Sequence, residues 1–219
     1  MKKNNIIVVA IVAIVAIASI TAFAVNKDGE KMDDRMMSKS SSSQNVQADT
    51  NSADYKTYMS YTGEDYDRIF LSNMIAHHEG AVEMAKLALT NAQHQEVKDL
   101  ATAIVSAQTS EIDSMTTWQK AWGYPASSGE KMMDHSAMGM MASNAGMMQA
   151  LAGKAGMAFD KAFLEQMIIH HQSAINMASP GKTNTQHQEV KNLTVAIVTA
   201  QTKEIRQMMQ WQKDWNYTK

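Results

Sequence analysis

Val97, Leu100, Ala101, Ile104, Val105, Ile112, Met115 and Trp118 recur at i, i+3, i+4 and i+7, the pattern of an amphipathic helix over about 93–121. A second helical stretch precedes it over about 65–89. Thr90-x-x-Gln93 lies between them with capping-box spacing and predicts the start of the later helix. The pattern then returns downstream. Residues 70–124 align with 163–217 at a constant offset of 93, without a gap, and 32 of the 55 positions are identical. The chain therefore carries an internal duplication. Thr183-x-x-Gln186 repeats the capping spacing, and Pro180-Gly181 ends the third helix. Between Tyr124 and Met157 lies a joint long enough for a crossover. The prediction is an all-α chain, a ferritin-like four-helix bundle of two repeated hairpins (65–124 and 157–219) joined by a Met-rich crossover at 125–156.

The pattern changes upstream. "MKKNN" is followed by an almost unbroken apolar run over residues 6–25, closing on Ala22-Phe23-Ala24, a small-x-small cleavage pattern. Residues 1–24 read as a signal peptide or as an uncleaved anchor, since about 20 apolar residues span a bilayer. Either reading predicts export, to a periplasmic or extracellular location or to the outer face of the inner membrane, with Lys2 and Lys3 kept on the cytoplasmic side. Residues 25–60, centred on "SKSSSSQNVQADTNS", lack the apolar surface to offset chain entropy and read as a disordered polar tether. The tether leads into the bundle at 61–219.

Charge adds little. A net charge of −2 gives no basis for nucleic-acid binding, and membrane contact is expected only through an uncleaved N-terminal segment. Cysteine is absent, which excludes disulfides, thiolate metal sites and cysteine catalysis. Methionine is the anomaly, at 20 residues, where a core normally uses it sparingly. An exported chain without Cys must conduct soft-metal chemistry through thioethers.

Candidate chemistry sits on the helix faces that should be buried. At 100° per residue from Met74, His77 lies at about −60°, His78 at about +40° and Met84 at about −80°, so the "MIAHHEGAVEMA" segment aims polar groups toward the core. "MIIHHQSAINMA" does the same with Met167, His170, His171 and Met177. On the partner helices Gln108 and Glu111 interrupt the apolar stripe, with Met115 one turn on; Gln201, Glu204 and Met208 are their equivalents. Folding each hairpin brings Met74, His78, Gln108 and Glu111 together, and likewise Met167, His171, Gln201 and Glu204. A buried carboxylate needs a proton, a hydrogen bond or a cation. The plainest alternative is a buried His–Glu hydrogen bond with Met as packing. His77 and Met84 stand two turns apart, about 10 Å in rise, and do not chelate one ion from the same helix.

The ligand types select the metal. Di-iron bundles use Glu-x-x-His and several carboxylates, whereas here Met74 and Met167 stand three residues before His77 and His170. A thioether in place of a hard oxygen favours Cu(I) over iron. The crossover adds "KMMDHSAMGMM" at 131–141, in which Met132, Met133, His135, Met138, Met140 and Met141 make a pliable Cu(I) chelator. Thioethers do not titrate, so this tract should hold copper at mildly acidic pH, while His sites weaken as imidazoles protonate near pH ~6.5. His94 and His187 read as near-cap residues, and the pairs Trp118/Trp122 and Trp211/Trp215 as closures of the bundle ends.

"FLSNMIAHHEGAVEMA…EIDSMTTWQ" and "FLEQMIIHHQSAINMA…EIRQMMQWQ" resemble the exported ferritin-like proteins of domain-of-unknown-function family 305, over about 65–219. The resemblance implies a four-helix bundle that binds copper through His and Met, at His77, His78, Met84 and Met115 and at His170, His171, Met177 and Met208. "MMDHSAMGMM" also resembles the Met-rich copper-binding segments of periplasmic copper-resistance proteins. The expected protein is an exported copper binder, not an enzyme, that sequesters Cu(I) or transfers it to an exporter or chaperone. A ferritin-like metal oxidase and a purely structural bundle are the alternatives.

Overall fold

The computed structural model describes residues 45–125 and 135–218, the side chains of 135–138 and 140 excepted. Seven helices occupy these residues: α1 (Ala53–Met59), α2 (Gly63–Asn91), α3 (Gln95–Trp122), α4 (His135–Leu151), α5 (Gly156–Ala178), α6 (Gly181–Asn184) and α7 (Gln188–Asp214). The long helices α2 and α3 form the first hairpin; α5 and α7 form the second, with α6 as a short step between them.

The hairpins meet antiparallel through α2 and α5. Gly63 at the start of α2 is bridged to Thr185 beyond the end of α5, and Ala92 beyond the end of α2 to Gly156 at the start of α5. Gly63 and Gly156 have φ of +58° and +61°, left-handed values that glycine adopts without a Cβ penalty. They too are 93 residues apart, so the duplication reaches upstream of Phe70.

The capping boxes do not form. Thr90 lies inside α2, where its Oγ1 donates to Leu87 O at 3.2 Å, and α3 starts at Gln95 with His94 as N-cap and no side-chain cap of its own. The cap comes from the other hairpin. Asp160 of α5 accepts from the backbone N–H groups of Gln93 (2.9 Å) and His94 (3.0 Å), and its Oδ2 also meets His94 Nδ1 at 2.6 Å. Asp67 of α2 serves Gln186, His187 and His187 Nδ1 in the same way. A carboxylate within the dry bundle satisfies the orphan N–H groups more completely than a local Gln exposed to water. Trp215 stacks on His94 and Trp122 on His187, at ring-centroid separations of 3.8 and 3.7 Å. Both histidines are thus near-cap residues and the tryptophans close the ends.

Two segments dress the face formed by α2 and α5. Part of the crossover is the helix α4, which packs on both. Asn144 donates to Ala76 O at 3.2 Å, a seat available only because residue 80 is Gly; a Cβ there would come within 2.3 Å of Asn144. Met147 and Leu151 enter the core. The tether is corrected over residues 45–60, which lie against the bundle. Ser52 caps α1 by accepting from Tyr55 N at 3.1 Å, Tyr58 is buried edge-on to Tyr66 and Phe70, and Ser173 Oγ donates to Asp54 at 2.7 Å. Tyr58, Val46 and Ala48 supply the apolar contact that the average composition concealed. The signal or anchor segment at 1–24 and the tether up to residue 44 lie outside the described residues. Among the described residues no helix is long and apolar enough to cross a membrane.

Candidate metal centre

His77 and His78 lie midway along α2, and His170 and His171 hold the equivalent positions on α5. The antiparallel pairing therefore puts all four imidazoles at one level of the bundle, each fully buried. The His77 and His170 rings face one another with centroids 3.7 Å apart. On either side, His78 Nε2 lies 2.6 Å from Glu111 Oε2 and His171 Nε2 2.6 Å from Glu204 Oε2. A carboxylate oxygen accepts, so each of these Nε2 atoms carries the proton, and a neutral ring then presents the Nδ1 lone pair. This is how a second partner orients a metal-ligating histidine.

Both ring nitrogens of His77 and of His170, and Nδ1 of His78 and of His171, have no protein hydrogen-bond partner. Each buried polar atom left without a partner costs about 1–3 kcal/mol. A soft cation with nitrogen affinity fits such a layer. Burial holds the pKa of His77 and of His170 well below the ordinary imidazole value, and the neighbouring imidazoles push in the same direction. Each ring also nears the other residue's backbone, which opposes the shift slightly without reaching hydrogen-bond geometry. Both rings are neutral near pH 7, and a neutral imidazole is the ligating form.

The thioethers divide above and below this layer, and they do so across the repeats. Met74 and Met115 share one buried cluster with Met177 of the second repeat. Met167 and Met208 share the other with Met84 of the first. Met74 and Met84 are split between the two clusters because they lie ten residues apart on α2, about 15 Å in rise. The antiparallel run of α5 puts Met177 with the first and Met167 with the second. Among the described residues no three His, Asp or Glu side chains converge closely enough to hold one metal ion in this arrangement.

Of the site residues that the sequence proposes, the four histidines, Glu111 and Glu204 come together here. The His78–Glu111 and His171–Glu204 pairs form as the hairpin folding predicts. Glu111 is buried, while the Glu204 side chain is about one quarter exposed. Gln108 and Gln201 join the two carboxylates around a small cavity of about 20 Å3 between α3 and α7, with Ile104 and Ile197 beside it. The tract does not meet the layer in any described contact. Met132 and Met133 lie outside the described residues, as do the side chains of His135, Met138 and Met140, while Met141 is exposed on α4. Sequence reasoning missed Asp67 and Asp160. The signal was G-x-x-x-D-x-x-F, at 63–70 and again at 156–163, just upstream of where the alignment was begun.

Residues 19–94 and 67–212 match the model of the family described as Domain of unknown function (DUF305). The chain belongs to DUF305. CopM, solved in Cu(II)-bound, Cu(I)-bound and silver-soaked forms, is 38%, 39% and 37% identical to it; each match covers 68% of this chain and at least 96% of that one, with a TM-score of 0.56. A DUF305 fragment from Deinococcus radiodurans is 31% identical over 65% of this chain and 92% of its own, with a TM-score of 0.53. A DUF305 protein from Streptomyces coelicolor, 24% identical over 66% of this chain and 90% of its own (TM-score 0.58), shares the fold. Comparison with curated proteins returns no significant match.

Proposed function

We propose that this DUF305 chain is an exported copper-binding protein that sequesters Cu(I) or passes it to an exporter or chaperone, and that it binds rather than turns over its metal. The observation that carries the reading is the facing pair His77 and His170, buried and neutral, with all ring nitrogens free of protein partners. A structural role alone would favour an apolar pair there, since burying imidazoles without partners is costly. The metal-bound forms of CopM support copper as the ion. Met74, Met115 and Met177 on one side, and Met84, Met167 and Met208 on the other, favour the cuprous state, because thioethers select soft ions. The apolar N-terminal run supports export.

An anaerobic Cu(I) titration of the full chain against a chromophoric chelator tests this. Tight binding is expected in two classes. One disappears when His77, His78, His170 and His171 are replaced by Ala. The other disappears when Met132, Met133, Met138, Met140 and Met141 become Leu and His135 becomes Ala. Substitution is preferable to deletion of the tract, because Met147 and Leu151 of α4 belong to the core. A wild-type chain that cannot compete with the chelator would sink the proposal.

A further inference from the structure

A buried site needs a door, and the described packing leaves two clefts. A wide one of about 710 Å3 lies under residues 45–54 on α5 and α7, and none of the four histidines or their carboxylates lines it. A small one lies between α3 and α7, and the carboxylates do line it. The α2–α3 and α5–α7 pairs are the hairpins themselves, and α2 and α5 pack directly on each other. Outside that last pair, α4 lies over Gly80, and residues 45–59 lie over Ser173 and Asn176. Stacked His–Trp pairs stand at the ends. On the remaining side no described element covers α3 and α7, and the small cavity lies between them.

That cavity is chemically unlike the core around it. Glu111 and Glu204 line it and at the same time hold His78 and His171 by hydrogen bonds of 2.6 Å. Gln108 and Gln201, at least nine-tenths buried, also line it, and the Oε1 of each has no protein partner. Four oxygen-bearing side chains thus surround a space of about 20 Å3, room for roughly one water-sized occupant. The partly exposed Glu204 connects this space to solvent, and its hydrogen bond connects it to the histidine layer. Half-buried Ala107 and Ala200 line the same cleft, small enough to leave it open.

We infer that the α3–α7 cleft is the port through which a monovalent soft cation enters and leaves the histidine layer, with the Gln108 and Gln201 amide oxygens as its transient ligands. The inference rests on the copper-binding reading. The amide oxygens replace part of the ion's hydration as it leaves water, and their neutrality keeps them from retaining it. The carboxylates attract the cation to the mouth and, by turning from His78 or His171, open the way inward.

Transfer kinetics of the full chain test the port. Cu(I) is delivered from a chromophoric chelate, and the uptake phase that vanishes in the His77, His78, His170 and His171 to Ala variant is followed; excess chelator then extracts the metal. Ala107→Leu/Ala200→Leu fills the cleft, and Gln108→Leu/Gln201→Leu removes the amide oxygens at similar volume. Each is expected to slow that phase at least tenfold, and extraction by a similar factor, at unchanged stoichiometry and circular dichroism. Either variant that folds suffices. Wild-type rates at full stoichiometry would overturn the port while leaving copper binding intact, as would slowing of one direction alone, which marks altered affinity. Absence of any His-dependent phase in the wild-type chain would remove the copper reading and the port with it.

Discussion

At the scale of single residues, the buried imidazoles decide how the protein responds to pH. His77 and His170 have pKa values well below the ordinary 6.5, mainly through burial, so in the metal-free protein they stay neutral where the unfolded chain would bind protons. The unfolded state then takes up more protons as pH falls below about 6.5, and stability falls with it, by about 1 kcal/mol per pH unit for each imidazole. Denaturant melts of the metal-free chain at pH 7.5, 6.5 and 5.5 should show the midpoint steady over the first interval and dropping over the second; an unchanged midpoint at pH 5.5 would contradict the burial of both rings. The same shift corrects the sequence expectation that His sites weaken near pH ~6.5, because proton competition at His77 and His170 begins lower. The histidine pairs themselves were legible. Two polar residues on the apolar face of "MIAHHEGAVEMA" could not be placed by burial alone, and the His–Glu convergence followed from folding the hairpin.

At the scale of elements, each hairpin caps the other. Asp160→Ala leaves the N–H groups of Gln93 and His94 and the Nδ1 of His94 without their acceptor, and should cost about 2–3 kcal/mol. Asp67→Ala should match it through Gln186 and His187. Thermal melts should show a fall of several degrees for each, with partial recovery in the Asn variants, which keep one acceptor oxygen. Thr90→Ala, by contrast, should leave the melting temperature nearly unchanged, since Thr90 caps nothing. Gly80→Ala sets two effects against each other. Ala favours the interior of α2 by about 1 kcal/mol, yet its Cβ evicts Asn144 from Ala76 O. Global stability should move little while amide exchange in α4 quickens. Helix existence was readable from the 3.6-residue period, and α2, α3, α5 and α7 fall within a few residues of where the period puts them. The caps were not, because a capping box and a tertiary carboxylate present the same local sequence.

At the scale of the whole molecule, the duplication gives the bundle two equivalent histidine and thioether sets, and the additions to it break that equivalence. α4 covers α2 at Gly80, whereas residues 45–59 cover α5 at Ser173, the position 93 residues on. The Met-rich tract enters only one of those dressings. Substituting its methionines should therefore lower copper stoichiometry without lowering the melting temperature of the metal-free chain, whereas Met147→Ala, in the core, should lower the melting temperature; the two readouts separate binding from packing.

The sequence by itself determined the all-α class, the two hairpins, the buried histidine faces and the supply of thioether in place of thiolate donors, because these depend on periodicity and residue type within one helix or one hairpin. The tertiary structure alone decided which groups meet. The antiparallel docking of α2 on α5 set His77 against His170 and sent Met84 to join Met167 and Met208. It brought Asp67 and Asp160 to the starts of helices in the opposite hairpin, and it drew residues 45–60 out of their tether. Each of these contacts joins residues distant in the chain, and local pattern carries no information about which distant surface a face will bury.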